Sequence, residues 1–286
     1  MFEFPELYFP LGDWINIAVD WLTLNLEPFF DAITIGIRWP LVQIERFLWW
    51  LPWWAVIIIF AGVAWRFAGR WIALFTVCGM LFIGVMGLWD DTMTTLAIIV
   101  TAVAVSVLVG IPLGILAATN DRFEAILRPF LDGMQTMPSF VYLIPAVFFF
   151  GLGKVPAVVA TFIYAVPPCI RLTNLGIRQV STEVVEAGKA FGSTSLQLLF
   201  KIQLPLARPT IMTGVNQTIM MALAMVVIAS MIGASGLGLE VLRGIQRLDV
   251  GRGFIAGIAI VILAIIIDRV STSLGKVRRT SQRQSK

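Results

Sequence analysis

The chain has 286 residues, of which 58% are hydrophobic and 13% charged, with a formal net charge of +4 and a mean hydropathy of +0.89. A soluble domain carries roughly 25% charged residues; too few polar side chains exist here to cover a soluble surface, and the chain reads as an all-α integral membrane protein. It contains no histidine, which excludes His metal sites, Ser-His triads and imidazole proton relays. The two cysteines, Cys78 and Cys169, lie far apart in apolar stretches. They cannot form a CxxC metal site and read as small buried hydrophobes. The opening Met1-Phe2-Glu3-Phe4-Pro5-Glu6 lacks a basic region before an apolar run, so no cleavable signal peptide is expected.

Residues 1–50 differ in kind from the rest. They carry seven acids (Glu3, Glu6, Asp13, Asp20, Glu27, Asp31, Glu45) against two arginines. Trp14, Ile15, Ile17, Ala18, Trp21 and Leu22 recur at helical spacing, with Asp13 and Asp20 off that face. This predicts an amphipathic helix on the outer membrane face. The run Leu48-Trp49-Trp50-Leu51-Pro52-Trp53-Trp54 reads as an interfacial belt where the chain enters the bilayer.

A membrane span needs about 20 apolar residues, and lipid gives the backbone no partners, so such runs must be helical. Leu51–Trp65, extendable to about Gly69, is the first span and Trp71–Trp89 the second, a peripheral pair within 51–91. Thr92–Asn120 is the third. Met137–Gly153 and Val155–Ile170 form a tight pair around Gly151-Leu152-Gly153-Lys154. Ile211–Ile232 is the sixth and Gly253–Ile267 a shorter seventh, so the core covers 92–270. Alternating the loops places six Lys and Arg residues on one side (Arg38, Arg46, Lys154, Arg243, Arg247, Arg252) and the other 15 of the 21 opposite. The positive-inside rule makes the richer side cytoplasmic, with the N-terminus outside and the C-terminus inside. This asymmetry accounts for the basic residues without a nucleic-acid surface. The tail 271–286, with Lys276, Arg278, Arg279, Arg283 and Lys286, reads as a basic stop-transfer flank, with contact to anionic membrane lipid as the alternative.

Residues 92–120, 133–153, 155–170 and 209–239 hold no Asp, Glu, Lys or Arg. Buried ionisable groups mark proton relays and voltage sensors, so their absence counts against an ion-coupled antiporter or a voltage-gated channel. Gly110-Ile111-Pro112-Leu113-Gly114 and Gly253-Phe254-Ile255-Ala256-Gly257 are small-residue motifs that allow close helix approach. Pro138, Pro145, Pro156, Pro167 and Pro168 fall in or beside the fourth and fifth spans, where proline kinks a helix. Those spans, with Met137, Pro138, Phe140 and Tyr142, and polar Asn216 and Gln217 in the sixth, are the candidates for lining a pathway; kinks needed only for packing are the alternative.

Residues 171–210 form a cytoplasmic loop of 40 residues, long enough to have structure of its own. Ser181 or Thr182 can cap a helix whose face is Val184, Ala187, Gly188 and Phe191, ended by Gly192. Thr194 with Gln197 is a capping box for a second short helix. Its apolar face is Leu196, Leu199 and Phe200, and Pro205 is expected to stop it. Ala187 and Gly188 offer a smooth spot on which another protein can close.

Glu186-Ala187-Gly188, three residues, Gly192, nine residues, then Ile202-Gln203-Leu204-Pro205 resembles the EAA loop of ABC importer permeases, with Gly188 in place of the usual alanine. Gln135-Thr136-Met137-Pro138-Ser139-Phe140-Val141-Tyr142-Leu143-Ile144-Pro145, Pro167-Pro168, Ala190-Phe191-Gly192-Ser193-Thr194 and Gly233-Ala234-Ser235-Gly236-Leu237-Gly238 resemble the glycine betaine/proline betaine branch. The likeness runs from about residue 10 to 270. It implies a type I ABC importer permease fold with about seven transmembrane helices in a bacterial inner membrane. It implies a second permease copy, cytoplasmic ATP-binding subunits and an external substrate-binding protein. It also implies that Glu186, Ala187, Gly188, Gly192, Ile202, Leu204 and Pro205 belong to the ATPase-coupling loop. The implied substrate is a quaternary-ammonium compatible solute, glycine betaine first, used in osmoprotection, with choline or trimethylamine N-oxide as alternatives.

The three Gly-Lys pairs, Gly153-Lys154, Gly188-Lys189 and Gly275-Lys276, are each followed by Val or Ala. The Ser or Thr of a phosphate-binding loop is missing, so ATP and magnesium are expected on the partner and no cofactor in this chain. The aromatic residues Phe140, Tyr142, Phe148, Phe149, Phe150 and Tyr164 offer cation–π contact to a passing solute, or face lipid and neighbouring helices. The rival from another class is an ATP-independent channel or secondary carrier; a membrane enzyme has no acid–base pair at membrane depth to work with.

Overall fold

The computed structural model describes residues 10–276, and all the regular structure among them is helical. The N-terminal hexapeptide and the tail residues Arg278, Arg279, Arg283 and Lys286 lie outside the described residues. α1 (Leu11–Asn25) and α2 (Glu27–Trp50) precede a hairpin of α3 (Trp53–Ala68) and α4 (Arg70–Val85). α5 (Trp89–Thr119) is followed by α6 (Asp121–Thr136), a 3-10 turn over Ser139–Tyr142 and α7 (Leu143–Phe150). α8 (Lys154–Arg178) leads through α9 (Thr182–Ala190) and α10 (Ser195–Gln197) to a π-helical turn (Leu198–Gln203) and α11 (Leu204–Ala229). A 3-10 turn (Ser230–Ile232), α12 (Leu237–Gln246) and α13 (Val250–Lys276) complete the described part of the chain.

Among the described residues four helical stretches are long and apolar enough to cross a membrane unaided: Trp89–Thr119, Lys154–Arg178, Ser195–Ile232 and Val250–Ser273. The number rises to six if each of two bent pairs is one span, with Arg70–Val85 a shorter apolar helix beside them. The expected fourth span, Met137–Gly153, is not a straight helix. α6 and the Ser139–Phe150 segment meet at a bend of 111°. Pro138 disfavours helical backbone at the residue before it, and Met137 is extended (φ −70°, ψ 138°). Residues 121–136, between the expected third and fourth spans, are helical although they carry Asp121, Arg122, Glu124, Arg128 and Asp132. Those charges sit on an amphipathic helix whose start is capped by Asn120 Oδ1, which accepts the Arg122 and Phe123 N–H groups at 3.1 Å each.

The fifth and seventh spans are longer than expected, reaching Arg178 and running from Val250 to Lys276. An apolar run reports membrane depth, and charged residues such as Arg171 or Asp268 end the run without ending the helix. Pro167 and Pro168 are buried inside α8, which continues through them.

α8 lies between α5 and α11, and glycine sets the spacing. A Cβ on Gly114 would sit 2.7 Å from the Ile170 carbonyl oxygen and 2.5 Å from Thr173 Cβ, and one on Gly110 2.9 Å from Cys169 Cβ. On the other side, a Cβ on Gly214 would approach Leu172 Cβ to 2.9 Å. The Gly110–Gly114 motif thus makes the close contact it foretold. The second motif does so only in part: Gly253 meets the backbone of Gly244 in α12, whereas Gly257 borders open space. The two cysteines part company as well. Cys169 is buried in this contact as expected, whereas Cys78, expected to be buried, is exposed on α4.

α1 is the expected amphipathic helix, and none of its residues is buried. α2 was not foreseen. It turns into α3 through a bend of 106° at Leu51-Pro52, amid the exposed indoles Trp49, Trp50, Trp53 and Trp54. Ile37 and Leu41 of α2 join the main core, and Phe30 stacks on Phe149 at 4.6 Å between ring centroids. The buried Glu45 accepts from Lys154 Nζ at 2.5 Å and Thr94 Oγ1 at 3.0 Å. Lys154 opens α8, where its charge meets the positive end of the helix; the Glu45 carboxylate offsets both.

Replacing Gly114 with leucine is expected to destabilise the protein by about 1–3 kcal/mol through overpacking. Gly257→Ala, which enters open space, should leave the midpoint unchanged or raise it, since alanine is favoured over glycine in helices. Thermal unfolding in detergent, followed by circular dichroism, reads both.

Candidate functional site

The end of the molecule carrying Gln179–Thr194 is the loop end. Only Gln179, Val180 and Ser181 separate α8 from α9, and Val180 N–H still bonds the Ile177 carbonyl at 3.3 Å. α9 therefore projects rigidly from the end of a spanning helix. Ser181 precedes it as expected but makes no side-chain capping bond. At its other end Ser193 N–H bonds the Gly188 carbonyl (3.1 Å) and Gly192 N–H that of Lys189 (2.9 Å). These are the two bonds of a Schellman cap, and Gly192 supplies the left-handed backbone it needs, at φ +77°. The capping box is formed as expected: Gln197 N–H donates to Thr194 Oγ1 at 3.3 Å and Thr194 N–H to Gln197 Oε1 at 3.0 Å.

Three expectations about this loop are corrected. Gly188 does not face outward with Ala187. It is buried, and a Cβ there would lie 2.7 Å from Ile202 Cδ1 and 2.9 Å from Leu198 Cδ1. The exposed residues of α9 include Val184, Glu186 and Ala187, and Phe191 at its end is 91% exposed. In the second helix the buried pair is Leu198 and Leu199, while Leu196 and Phe200 are exposed; the extra residue of the π-turn shifts the face round. Pro205 also fails to stop that helix. It is the second residue of α11, in a continuous rod from Ser195 to Ile232. A proline lacks the N–H for the preceding turn and crowds its carbonyl. The π-turn over Leu198–Gln203 immediately before it is the kind of local widening found at such points. Ile202 and Leu204 are half-buried there.

Of the pathway candidates, Met137, Pro138 and Phe140 are exposed at the break between α6 and α7. Tyr142 is instead 3% exposed and donates its hydroxyl to the Met134 carbonyl, tying the two arms of the break together. The 139–142 turn packs on α11, the helix that carries Asn216 and Gln217. Gln217 is exposed on a stripe with Thr213 and Met220, whereas Asn216 Oδ1 is buried without a hydrogen-bond partner among the described residues. Phe149 and Phe150 contact Phe30 and so clamp α2. Phe140 and Phe148 remain exposed. Among the described residues no cluster of three metal-ligating side chains exists.

At the opposite end a charged group was missed. Glu240 of α12 is 3% exposed and bonds Arg243 Nη1 at 2.5 Å and Arg252 Nε at 2.6 Å. The spacing Glu240, Arg243 and Arg252 was visible, but the burial was not. Burial alone raises the Glu240 pKa; the bonds from Arg252 and Arg243 outweigh it and hold the carboxyl below its ordinary value.

The described residues thus form a bundle of membrane-spanning helices with one broken span and a short capped helix, α9, at its loop end. Residues 110–279 match the family described as "Binding-protein-dependent transport system inner membrane component", and the chain belongs to it. It is 50% identical over 273 residues to the glycine betaine transport system permease protein OpuAB of Bacillus subtilis, covering 96% of each chain. It is 47% identical over 277 residues to the glycine betaine/proline betaine transport system permease protein ProW of Escherichia coli, covering 97% of this chain and 78% of that protein. Among solved structures it resembles the inward-facing MetNI methionine ABC transporter, with a TM-score of 0.59 and 21% identity over 69% of this chain and 97% of that one. The fold is that of ABC importer permeases, and the protein is a multi-pass component of the inner membrane. As a family member it works with an ATP-binding subunit and a substrate-binding protein.

The Glu240 clamp yields a pH prediction. Because its folded pKa is lowered, its stabilisation is complete above the ordinary glutamate pKa and is lost as the pH falls through the lowered value. Hydrogen-exchange protection of α12 should therefore persist from neutrality down to the ordinary glutamate range and fall only below it. Glu240→Gln should show the reduced protection already at neutral pH.

Proposed function

We propose that this chain is the permease subunit of an ATP-driven importer for a quaternary-ammonium compatible solute, glycine betaine first, serving osmoprotection. Two copies pair in the membrane, with the N-terminus outside and the C-terminus inside. Residues 1–50 lie outside, 51–91 flank the core, 92–270 form the core, and the basic tail from 271 lies in the cytoplasm. ATP and magnesium sit on the partner subunit. The solute assignment rests on the printed specificities of OpuAB and ProW.

The observation that carries the mechanical reading is α9. A short capped helix at the end of a spanning helix, with Val184, Glu186, Ala187 and Phe191 turned away from the rest of the chain, has the form of a handle for another protein. Gly188, Leu198 and Ile202 hold it from beneath, Gly192 closes it, and Leu204 and Pro205 join it to α11. Closure of the ATPase pair moves this handle and, with it, α8 and α11, reopening the pathway outward. Met137, Pro138, Phe140, Asn216 and Gln217 line that pathway, with Tyr142 holding its bend.

Phe191→Asp tests the handle. Phe191 touches little of its own chain, so the variant should reach the membrane in normal amount with unchanged unfolding temperature. It should lose co-purification of the ATP-binding subunit and uptake of labelled glycine betaine. Gly188→Ala should keep uptake, because its Cβ displaces only the flexible tips of Leu198 and Ile202. Full uptake by the Phe191→Asp protein would remove the basis for the reading.

A further inference from the structure

The motion of α9 must reach the pathway. Leu131 of α6 packs on Val166 and Ile170 of α8 nearer the bend, and at the end of α8, where α9 departs, the links to α5 and α6 are polar. Arg178 is the last residue of α8. Its Nη2 donates to the Ala117 carbonyl at 2.8 Å and to Asp121 Oδ1 at 2.7 Å, and lies 3.3 Å from Glu124 Oε2. Its Nε donates to Asn174 Oδ1 at 2.8 Å, and Asn174 Nδ2 in turn donates to Glu124 Oε1 at 3.1 Å. Arg171 pairs with Asp132 further along the same two helices. One guanidinium thus joins the end of α5, the start of α6 and the residue from which α9 departs. Ala117 contributes one of the terminal carbonyls that α5 itself leaves unbonded, a natural place for a cation.

A cavity of about 400 Å³ lies between α6 and α8, bounded by Leu127, Leu131, Ile170 and Leu175 as well as by the charged groups. α6 is thus fastened to α8 by charge-assisted bonds at the end of α8 and by the apolar contact of Leu131 with Val166 and Ile170 nearer the bend. Charge-assisted bonds are strong and directional, so a shift at the end of α8 is carried into the start of α6. α6 ends at the Met137–Pro138 break, where its far arm packs on α11.

We propose that Arg178 is a positioning residue for transport: it carries the movement of α9 into α6, and through α6 to the bend at Met137–Pro138. This rests on the reading of α9 as the handle of an ATP-driven partner. The full complex of permease, ATP-binding subunit and binding protein in liposomes tests it, with wild type, Arg178→Gln, Glu124→Gln and the double variant. ATP hydrolysis is measured with and without solute-loaded binding protein, and glycine betaine uptake is counted per ATP. Arg178→Gln should keep basal hydrolysis while both the stimulation ratio and the uptake per ATP fall roughly fivefold or more, within the range by which single residues alter coupling. Glu124→Gln should fall in the same direction by less. The double variant should be no worse than Arg178→Gln, because the two act through one link.

A purely structural role for Arg178 would lower basal and stimulated hydrolysis in proportion, and that result overturns the proposal. So does a wild-type ratio in Arg178→Gln, or additive losses in the double variant. If the wild-type permease binds no ATP-binding subunit at all, the functional reading fails first, before any variant is compared.

Discussion

In hydrocarbon, apolar side chains gain nothing by leaving lipid for one another, so spanning helices are held by close contact and by hydrogen bonds. In this chain the contact is made where α8 meets α5 and α11, at Gly110, Gly114 and Gly214. Those glycines let backbone approach backbone, and they fix α8 in place along its length. The rest is hung on that helix. Its first residue, Lys154, is clasped by Glu45 of α2; its last, Arg178, holds the corner between α5 and α6; and α9 projects beyond it.

Placing α9 on a helix so firmly seated has a mechanical consequence. A handle on a flexible loop would absorb force, whereas three connecting residues that continue the hydrogen bonding of α8 transmit it. The Schellman cap at Gly192 and the capping box at Thr194 and Gln197 stiffen the other side of the handle. From there the chain passes without interruption into α11. The handle is thus joined at both ends to helices that meet each other in the core, and from Ser195 onward only the π-turn before Pro205 departs from α-helical geometry.

Much of this was legible in the sequence because it depends on local chemistry. The spans follow from uncharged apolar runs, the caps from Gly192, Thr194 and Gln197, and the coupling loop from residue spacing within about twenty positions. What was not legible depends on partners far away in the chain. The charges of α6 looked like loop because the residues that pair with them, Arg171 and Arg178, lie some 40–60 positions further on. Nothing within residues 40–50 says that Glu45 will be buried against Lys154 and Thr94. Gly188 was assigned to the outer surface because its face was read from α9 alone. The tips of Leu198 and Ile202, brought beneath it by the π-turn, claim that face instead. Pro205 was given its usual role as a stop, and the widened turn before it removes the conflict that would have ended the helix.

The central claim is that the outward face of α9 is gripped by an ATP-hydrolysing partner on the cytoplasmic side. Site-directed cross-linking from Ala187→Cys, in a Cys78→Ser background that removes the exposed native thiol, tests it most directly. In native membranes the account predicts a cross-linked product of permease and ATP-binding subunit, and protection of that cysteine from a membrane-impermeant thiol reagent added outside. A cysteine that is labelled from the exterior and joins no such partner would contradict it.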